Sequence, residues 1–314
     1  MIDNIQIKTS CTDDEFLKLT EKISVNAPIN SEKVKFDYAN LRGVYYPNIN
    51  KLTLTNSLHK FYNIEFGHDH AASNYNDFSF SNFYTVADFL SEWVLEKAFT
   101  DLHISSKFEF GLNINTDFHQ PFNLISKYQS CILTHANEFF TVPPYSGKPI
   151  QRSCYFSDWY IKAYDKGVQA GVITTNLLRF EIVVTELRKL RSVLKIDAIS
   201  IADIVTVQAW DNMFTFLIAT YDAIRKIPEI ENIQASLEDI NAFYSYCNKL
   251  KRSDIQKSTS RYYFEQLNKS FKKVYDQYNS LPENYHNTIR IKMYDTYHRL
   301  MGRNQASFNT CNEE

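Results

Sequence analysis

Cysteine pairing is absent from this 314-residue chain: the five cysteines, Cys11, Cys131, Cys154, Cys247 and Cys311, are scattered, odd in number, and never at CxxC spacing. That pattern argues against a zinc ribbon and against a disulfide framework. Glycine is scarce, with seven residues, and the patterns GxxxxGKS/T, GxGxxG, HExxH and GxSxG do not occur. Phosphate-cradling loops, zincin metal sites and nucleophile elbows are set aside with them. Long apolar runs are missing too. The opening residues MIDNIQIKTS hold no secretory core, and no window approaches the roughly 20 apolar residues that span a bilayer. A cytoplasmic protein with reduced thiols and no membrane partner is expected. Charge of one sign is also lacking: the net value of -2 gives no global argument for a polyanionic partner.

Aromatic residues, by contrast, are plentiful, with 21 Tyr and 23 Phe. They supply flat faces for stacking on bases and hydroxyls for nucleophilic work, although AT-rich coding raises the same residues. Local charge is uneven as well. From Lys249 to Arg303 twelve Lys or Arg face five Asp or Glu, an excess of seven that suits a phosphate backbone or, equally, a solvated helical surface.

The first half reads mostly as strands. KFDYANLRGVYYPN and KLTLTNSLHKFYNIEF predict a hairpin or meander with turns near Arg42-Gly43 and Pro47-Asn48. HDHAASNYNDFSF predicts a loop entering a short strand. TVADFLSEWVLEKAF has helical spacing, KFEFGLNINT alternates as a strand, and FNLISKYQSCILTHANEFF predicts a second helix ended by TVPPYSGKP. YIKAYDKG and LLRFEIVV then form two strands, after which SIADIVTVQAWDNMFTFLIATYDAIRKI, SLEDINAFYSYCNKL and RYYFEQLNKSFKKVYDQYNSL are helical. Trp210, Phe214, Phe216 and Tyr221 fall on an apolar stripe and predict core. The fold class expected is α+β, an antiparallel sheet with helices packed on one face over 1–190, followed by a helical, basic region over 191–314.

Chemistry is sought first between Tyr160 and Leu187. The strand YIKAYDKG carries Lys162, Tyr164, Asp165 and Lys166, and LLRFEIVV carries Arg179 and Glu181 within an apolar run. Ionisable groups in such a setting need partners, a metal or a charged ligand. His59, Glu109 and Glu181 each lie in a strand-like run. If those strands are neighbours, the three converge into a site for a hard divalent cation, Mg²⁺ or Mn²⁺; otherwise each is a solvent-face residue of an ordinary sheet. His68-Asp69-His70 reads as a loop with weak metal potential, because Asp69 replaces the hydrophobic residue of a strand-borne histidine pair.

SLHKFYN, NDFSFSNF, FEFGLNINT, YIKAYDKG and LLRFEIVV, in that order, resemble the filamentous-phage gene II/gene X type of replication protein and, more distantly, rolling-circle plasmid replication initiators. The resemblance covers roughly Tyr38 to Leu187 and extends loosely to about Leu300. It implies a metal-dependent DNA endonuclease and strand transferase that nicks origin DNA. A tyrosine hydroxyl attacks the phosphorus, giving a 5′-phosphotyrosine and a free 3′-OH. The resemblance assigns His59, Glu109 and Glu181 to the metal and Lys162 and Lys166 to the scissile phosphate. It places the nucleophile on a helix beyond LLRFE. Tyr244, Tyr246, Tyr262, Tyr263, Tyr275 and Tyr278 qualify by position, and Tyr262, Tyr263 and Tyr275 are favoured for the cations beside them. Arg179, Arg261, Lys269, Lys272 and Lys273 are the DNA-binding candidates. Tyr155 and Trp159 are core or a stacking platform. Implied partners are double- and single-stranded origin DNA, with a host helicase and polymerase. A DNA-binding replication or copy-control protein that has lost nicking is the alternative.

Overall fold

A computed structural model describes residues 1–23, 32–67, 74–117, 119–133, 136–144, 150–172, 175–197, 199–226, 235–247, 249–280 and 285–303. His68, Asp69, His70 and Cys311 lie outside them. The strands are β1 (Ile2–Ser10), β2 (Val34–Tyr38), β3 (Leu41–Tyr46), β4 (Lys51–Ser57), β5 (His103–Asn115), β6 (Tyr128–Ile132), β7 (Ala136–Val142), β8 (Gln151–Tyr155), β9 (Trp159–Asp165), β10 (Leu177–Val184) and β11 (Ile224–Lys226). The helices are α1 (Asp13–Lys22), α2 (Leu58–Glu65), α3 (Phe80–Asp88), α4 (Pro121–Ser126), α5 (Lys166–Ala170), α6 (Leu187–Leu194), α7 (Ile201–Ile204), α8 (Val207–Asp222), α9 (Leu237–Cys247), α10 (Lys249–Ser258), α11 (Arg261–Ser280) and α12 (Tyr285–Leu300). A π-helical stretch, Phe89–Leu95, prolongs α3.

The fold is α+β. The described strands form one sheet in the order β11-β6-β7-β8-β9-β10-β5-β1-β4-β3-β2, and every neighbouring pair is antiparallel. Strand alternation divides the central strands into two faces. Leu178, Phe180, Ile182 and Val184 of β10 stand opposite Ile114, Leu112, Phe110 and Phe108 of β5, and all eight are buried in one apolar core. Trp210, Met213, Leu217 and Tyr221 of α8 and Ile289, Met293 and Tyr297 of α12 fill the same core. Toward the other edge of the sheet, Phe16 of α1 stacks on Tyr45 at 4.2 Å. Helices therefore cover this face, while Arg179, Glu181 and Glu109 project from the other.

Beyond α8, Phe243 of α9 packs with Phe271, Val274 and Tyr278 of α11 as a second, small cluster. The helical part is thus divided: α6, α7, α8 and α12 complete the sheet's core, and α9 and α11 pack on one another.

Four local expectations are corrected. The stretch 122–140 is not one helix. Pro121 opens α4, which ends at Ser126, and β6 and β7 follow; pairing of β6 with β11 and β7 overrides a sequence that also fits helical spacing. KLTLTNSLHKFYNIEF leaves the sheet at Ser57, whose Oγ accepts from the Lys60 N–H and starts α2, so His59 is helical. This is an ordinary N-cap. NDFSF enters α3 rather than a strand, with Ser79 and Asn82 forming a capping box. The β2–β3 turn falls at Ala39-Asn40, not Arg42-Gly43. Gly43 is in β3 opposite Phe36, and a Cβ there would lie 2.1 Å from the Phe36 ring; glycine makes room for the ring.

Candidate active site

Three carboxylates meet on the face opposite the apolar core. Glu181 in the middle of β10 pairs in register with Gly111 of β5 and Lys162 of β9. Glu109 lies two residues along β5, and Asp3 arrives from β1, where a register shift between Ile2 and Ile5 brings it to the same face. One ligand oxygen from each of Asp3, Glu109 and Glu181 lies within 4.8 Å of the others, and all three residues are buried. Gly111 matters here: a Cβ would meet the Phe180 carbonyl oxygen at 2.3 Å and Glu181 Cα at 2.7 Å, so only glycine lets β5 and β10 close beneath the Glu181 side chain.

Basic groups answer each carboxylate. Lys162 Nζ is 2.7 Å from Glu181 Oε2 and 3.6 Å from Glu109 Oε2. Arg179 Nε donates to Glu181 Oε1 at 2.6 Å, its Nη2 to Asp3 Oδ2 at 3.4 Å, and its Nη1 to Asn113 Oδ1 at 3.1 Å. Lys107 Nζ is 2.5 Å from Glu109 Oε1. The Tyr164 hydroxyl donates to Glu181 Oε1 at 3.0 Å, and Asp3 also accepts from Ser57 Oγ and Asn74 Nδ2. Burial alone would raise the Glu181 carboxyl, but the charges of Lys162 and Arg179 outweigh it and hold it well below the usual range. Asp3 is likewise lowered: burial opposes, and Arg179 prevails. Lys162 is raised, because Glu181 and Glu109 overcome the cost of its burial.

Of the residues singled out from sequence, Glu109, Glu181, Lys162 and Arg179 are brought together here. Arg179 is buried within the ion network rather than presented at the surface. Lys166 leaves the strand, because Asp165 caps α5 through the Val168 N–H. Its Nζ donates to Asn74 Oδ1 at 2.5 Å and Gln169 Oε1 at 2.6 Å. Burial, reinforced by Arg179, lowers its pKa to about 8. His59 is not among the three residues whose ligand atoms converge, although it lies near enough to Asp3 to feel its charge. Its Nε2 is 2.7 Å from Asn76 Oδ1, an acceptor, so the ring donates there, and it stacks on Phe78 at 4.9 Å. Burial, partly offset by Asp3, lowers its pKa to about 3.

The α11 candidates lie elsewhere. Tyr262 and Tyr263 are exposed. Tyr275 borders a cavity of about 230 Å³ with Tyr221, Lys226, Tyr278, His286 and Arg290. Tyr221 packs edge-on against Phe180 at 5.5 Å, which belongs to the apolar face, so Tyr275 is on the helix side of the sheet and Glu181 on the other. Lys269 and Lys272 are exposed, Lys273 pairs with Asp239 at 2.7 Å and Arg261 with Glu265 at 3.0 Å. Two participants escape the sequence reading. Asp3 sits in a stretch whose Ile2, Ile5 and Ile7 show strand-like spacing only if a bulge is allowed. Tyr160, on the carboxylate face, feels the charges of Lys162, Lys107 and Glu109 after its own burial.

Hard oxygen donors at this spacing suit Mg²⁺ or Mn²⁺. The Lys162 ammonium stands between Glu109 and Glu181, where such a cation would stand, so the donor set fits a divalent ion once that ammonium moves aside. Among the described residues no helix is long and apolar enough to cross a membrane.

No protein-family model and no curated protein matches the chain. Among solved structures, a rolling circle replication initiator protein from Geobacillus stearothermophilus is similar with a TM-score of 0.37 and 13% identity, over 87% of this chain and 96% of that one.

Proposed function

We propose that this chain initiates rolling-circle replication by nicking origin DNA at the Asp3–Glu109–Glu181 cluster. The observation that carries the reading is the convergence of three buried carboxylates on one sheet face, two of them in the segments that resemble replication initiators. In this reading the phenolic oxygen of a tyrosine bonds to phosphorus as the P–O3′ bond breaks; the phenolic proton leaves, and the departing oxygen gains a proton to become the 3′-OH. Asp3, Glu109 and Glu181 would hold a Mg²⁺ or Mn²⁺ ion, which supplies charge neutralisation at the non-bridging oxygens. Lys162, released from the carboxylates, is then in position to pair with the phosphate. Tyr262 and Tyr263, exposed on α11, remain proposed nucleophiles, and Tyr160 is added because its ring already lies on the carboxylate face; Tyr275, on the helix side of the sheet, would act only if α11 moved round to the cluster. Arg261, Lys269, Lys272 and Lys273 would bind the flanking duplex, and a host helicase and polymerase would act on the opened strand.

A second reading has its own support. Three carboxylates meet three basic groups, Lys107, Lys162 and Arg179, so the cluster is already neutral as it stands. A DNA-binding replication or copy-control protein could keep such a network for structure alone. The experiment that decides is incubation with supercoiled DNA from its own replicon, with Mn²⁺ and with chelator, followed by a denaturing gel and mass mapping of tyrosine adducts. A metal-dependent nick with one adduct supports the first reading and names the nucleophile. Binding without nick or adduct supports the second.

A further inference from the structure

Among the described residues, the carboxylate face continues past the ion network as an exposed aromatic shelf. In β8 and β9, Tyr155 stands directly opposite Tyr160, and Ser153 opposite Lys162. In β7, Phe140 stands opposite Ser153. Phe140, Tyr155 and Tyr160 therefore project from the same face as Lys162 and Glu181. The intervening Trp159 points the other way, into the core. The Tyr155 and Tyr160 rings are stacked, with centroids 5.1 Å apart and planes at 28°. Phe140 is 57% exposed and Tyr155 51% exposed, where rings on the opposite face are buried. Exposed aromatics clustered on a sheet are a mark of an interaction surface.

Chemistry selects the occupant. Flat rings separated by the spacing of β-strands, about 4.8 Å, offer π-faces to unpaired bases of any sequence. At their border the half-exposed Lys107 offers charge to the phosphates between those bases, with the largely buried Lys162 behind it. Tyr160, Val183 and Glu109 form one cross-strand row, so Tyr160 is two strands from Glu109, about 10 Å. A strand stacked on the shelf would run its backbone towards the carboxylates. A duplex has no free base faces to give and does not fit.

We propose that Phe140, Tyr155 and Tyr160 form a stacking platform for the bases of single-stranded DNA, which feeds the strand into the carboxylate cluster. The DNA reading above supplies the strand, but the platform requires neither metal nor cleavage.

The test uses the full chain in chelator, with a fluorescent 12-mer of dT followed by anisotropy. Stacking contributes about 1–3 kcal/mol per base, so Tyr155→Ala and Phe140→Ala should each weaken binding roughly 5- to 150-fold, and Tyr155→Trp should retain it. An abasic 12-mer should bind wild-type protein as weakly as the base-bearing strand binds the double alanine variant. The platform is overturned by alanine variants that bind like wild type, by an abasic strand that binds as well as dT, or by wild-type protein that binds no single strand at low salt. Because both replaced rings are exposed, unchanged melting temperatures exclude misfolding. Aromatic-dependent binding with no nicking in Mn²⁺ would leave the platform standing and remove the nickase.

Discussion

Lys162 and Glu181 are directly opposed across β9 and β10, and their side chains close the gap to 2.7 Å. Both are largely removed from water, so the pair is held by register as well as by charge. The same ammonium reaches Glu109 at 3.6 Å, which makes Lys162 the resident cation of the cluster and the competitor of any metal that enters it.

Replacing it reads that competition. Lys162→Met removes the ammonium while keeping most of the stem, and should tighten Mn²⁺ binding by about tenfold or more, since like charges about 4 Å apart repel by about 4 kcal/mol at an effective dielectric of 20. Calorimetric titration of both proteins measures it. Unchanged or weaker Mn²⁺ affinity would make the carboxylates a purely structural network. Nicking of DNA should fall in the variant, because the phosphate loses its partner.

Glu181→Gln should abolish cleavage. It should also cost stability, because the carboxylate is 1% exposed between Lys162 and Arg179, and breaking a buried pair leaves unmatched charge worth about 3–5 kcal/mol. That corresponds to a fall of about 10 °C in Tm for a chain of this size. The double variant Lys162→Met/Glu181→Gln should recover part of the loss while remaining inactive, a combination that thermal melting and a nicking gel separate.

Acid should unfold the protein in two stages. His59 has its pKa lowered from 6.5 to about 3, so the unfolded chain takes up a proton the folded one refuses. Its contribution is complete above pH 6.5 and is lost as pH falls towards 3, at up to about 1.4 kcal/mol per pH unit. Glu181 and Asp3 are also lowered, from 4.5 and 3.8; what they contribute is complete above those values and is lost only below them. Urea titrations at pH 7, 6 and 5 should show His59→Gln reducing the slope of the first stage, to which the buried His286 and the Met1 amine, both also lowered by burial, contribute the rest. An unaltered slope in that variant would assign the loss to another group.

Gly111→Ala tests the close approach of β5 and β10. The added methyl meets backbone at 2.3 and 2.7 Å, and backbone cannot swing away as a side-chain tip can. A loss of about 3 kcal/mol is expected, with weakened metal binding if Glu181 is displaced. Denaturant unfolding and Mn²⁺ titration read the two effects separately.

Much of the central sheet was legible because β9 and β10 place ionisable groups among apolar neighbours, a pattern that burial tolerates only with partners; Glu181, Lys162 and Glu109 do meet. What failed was decided by single side chains or by distant strands. Ser57 ends β4 and turns His59 into a helix, although SLHKFYN reads equally well as strand. The segment from Phe122 to Phe140 has helical spacing, yet only 122–126 is helical and the rest becomes β6 and β7, because Ile224–Lys226 offers an edge to pair with. Asp3 was hidden by a bulge, which breaks the alternation that would have aligned it with Glu109. The faces of α11 depend on packing against α9, and no local rule places Tyr275 on one side of the sheet.

The contact between Asp3 and Arg179 joins residues 176 positions apart. During synthesis at about 5–20 residues per second, Asp3 leaves the ribosome roughly 10–35 s before the residue that neutralises it. Until then β1 has no β5 beside it for much of that time, and the cluster cannot exist in any partial form. Long-range closure of this kind is slow relative to helix formation. A nascent chain that has reached β9 therefore carries Phe140, Tyr155 and Tyr160 but neither the assembled carboxylates nor the basic helices beyond residue 249, so the cluster is withheld until β10 has joined the sheet.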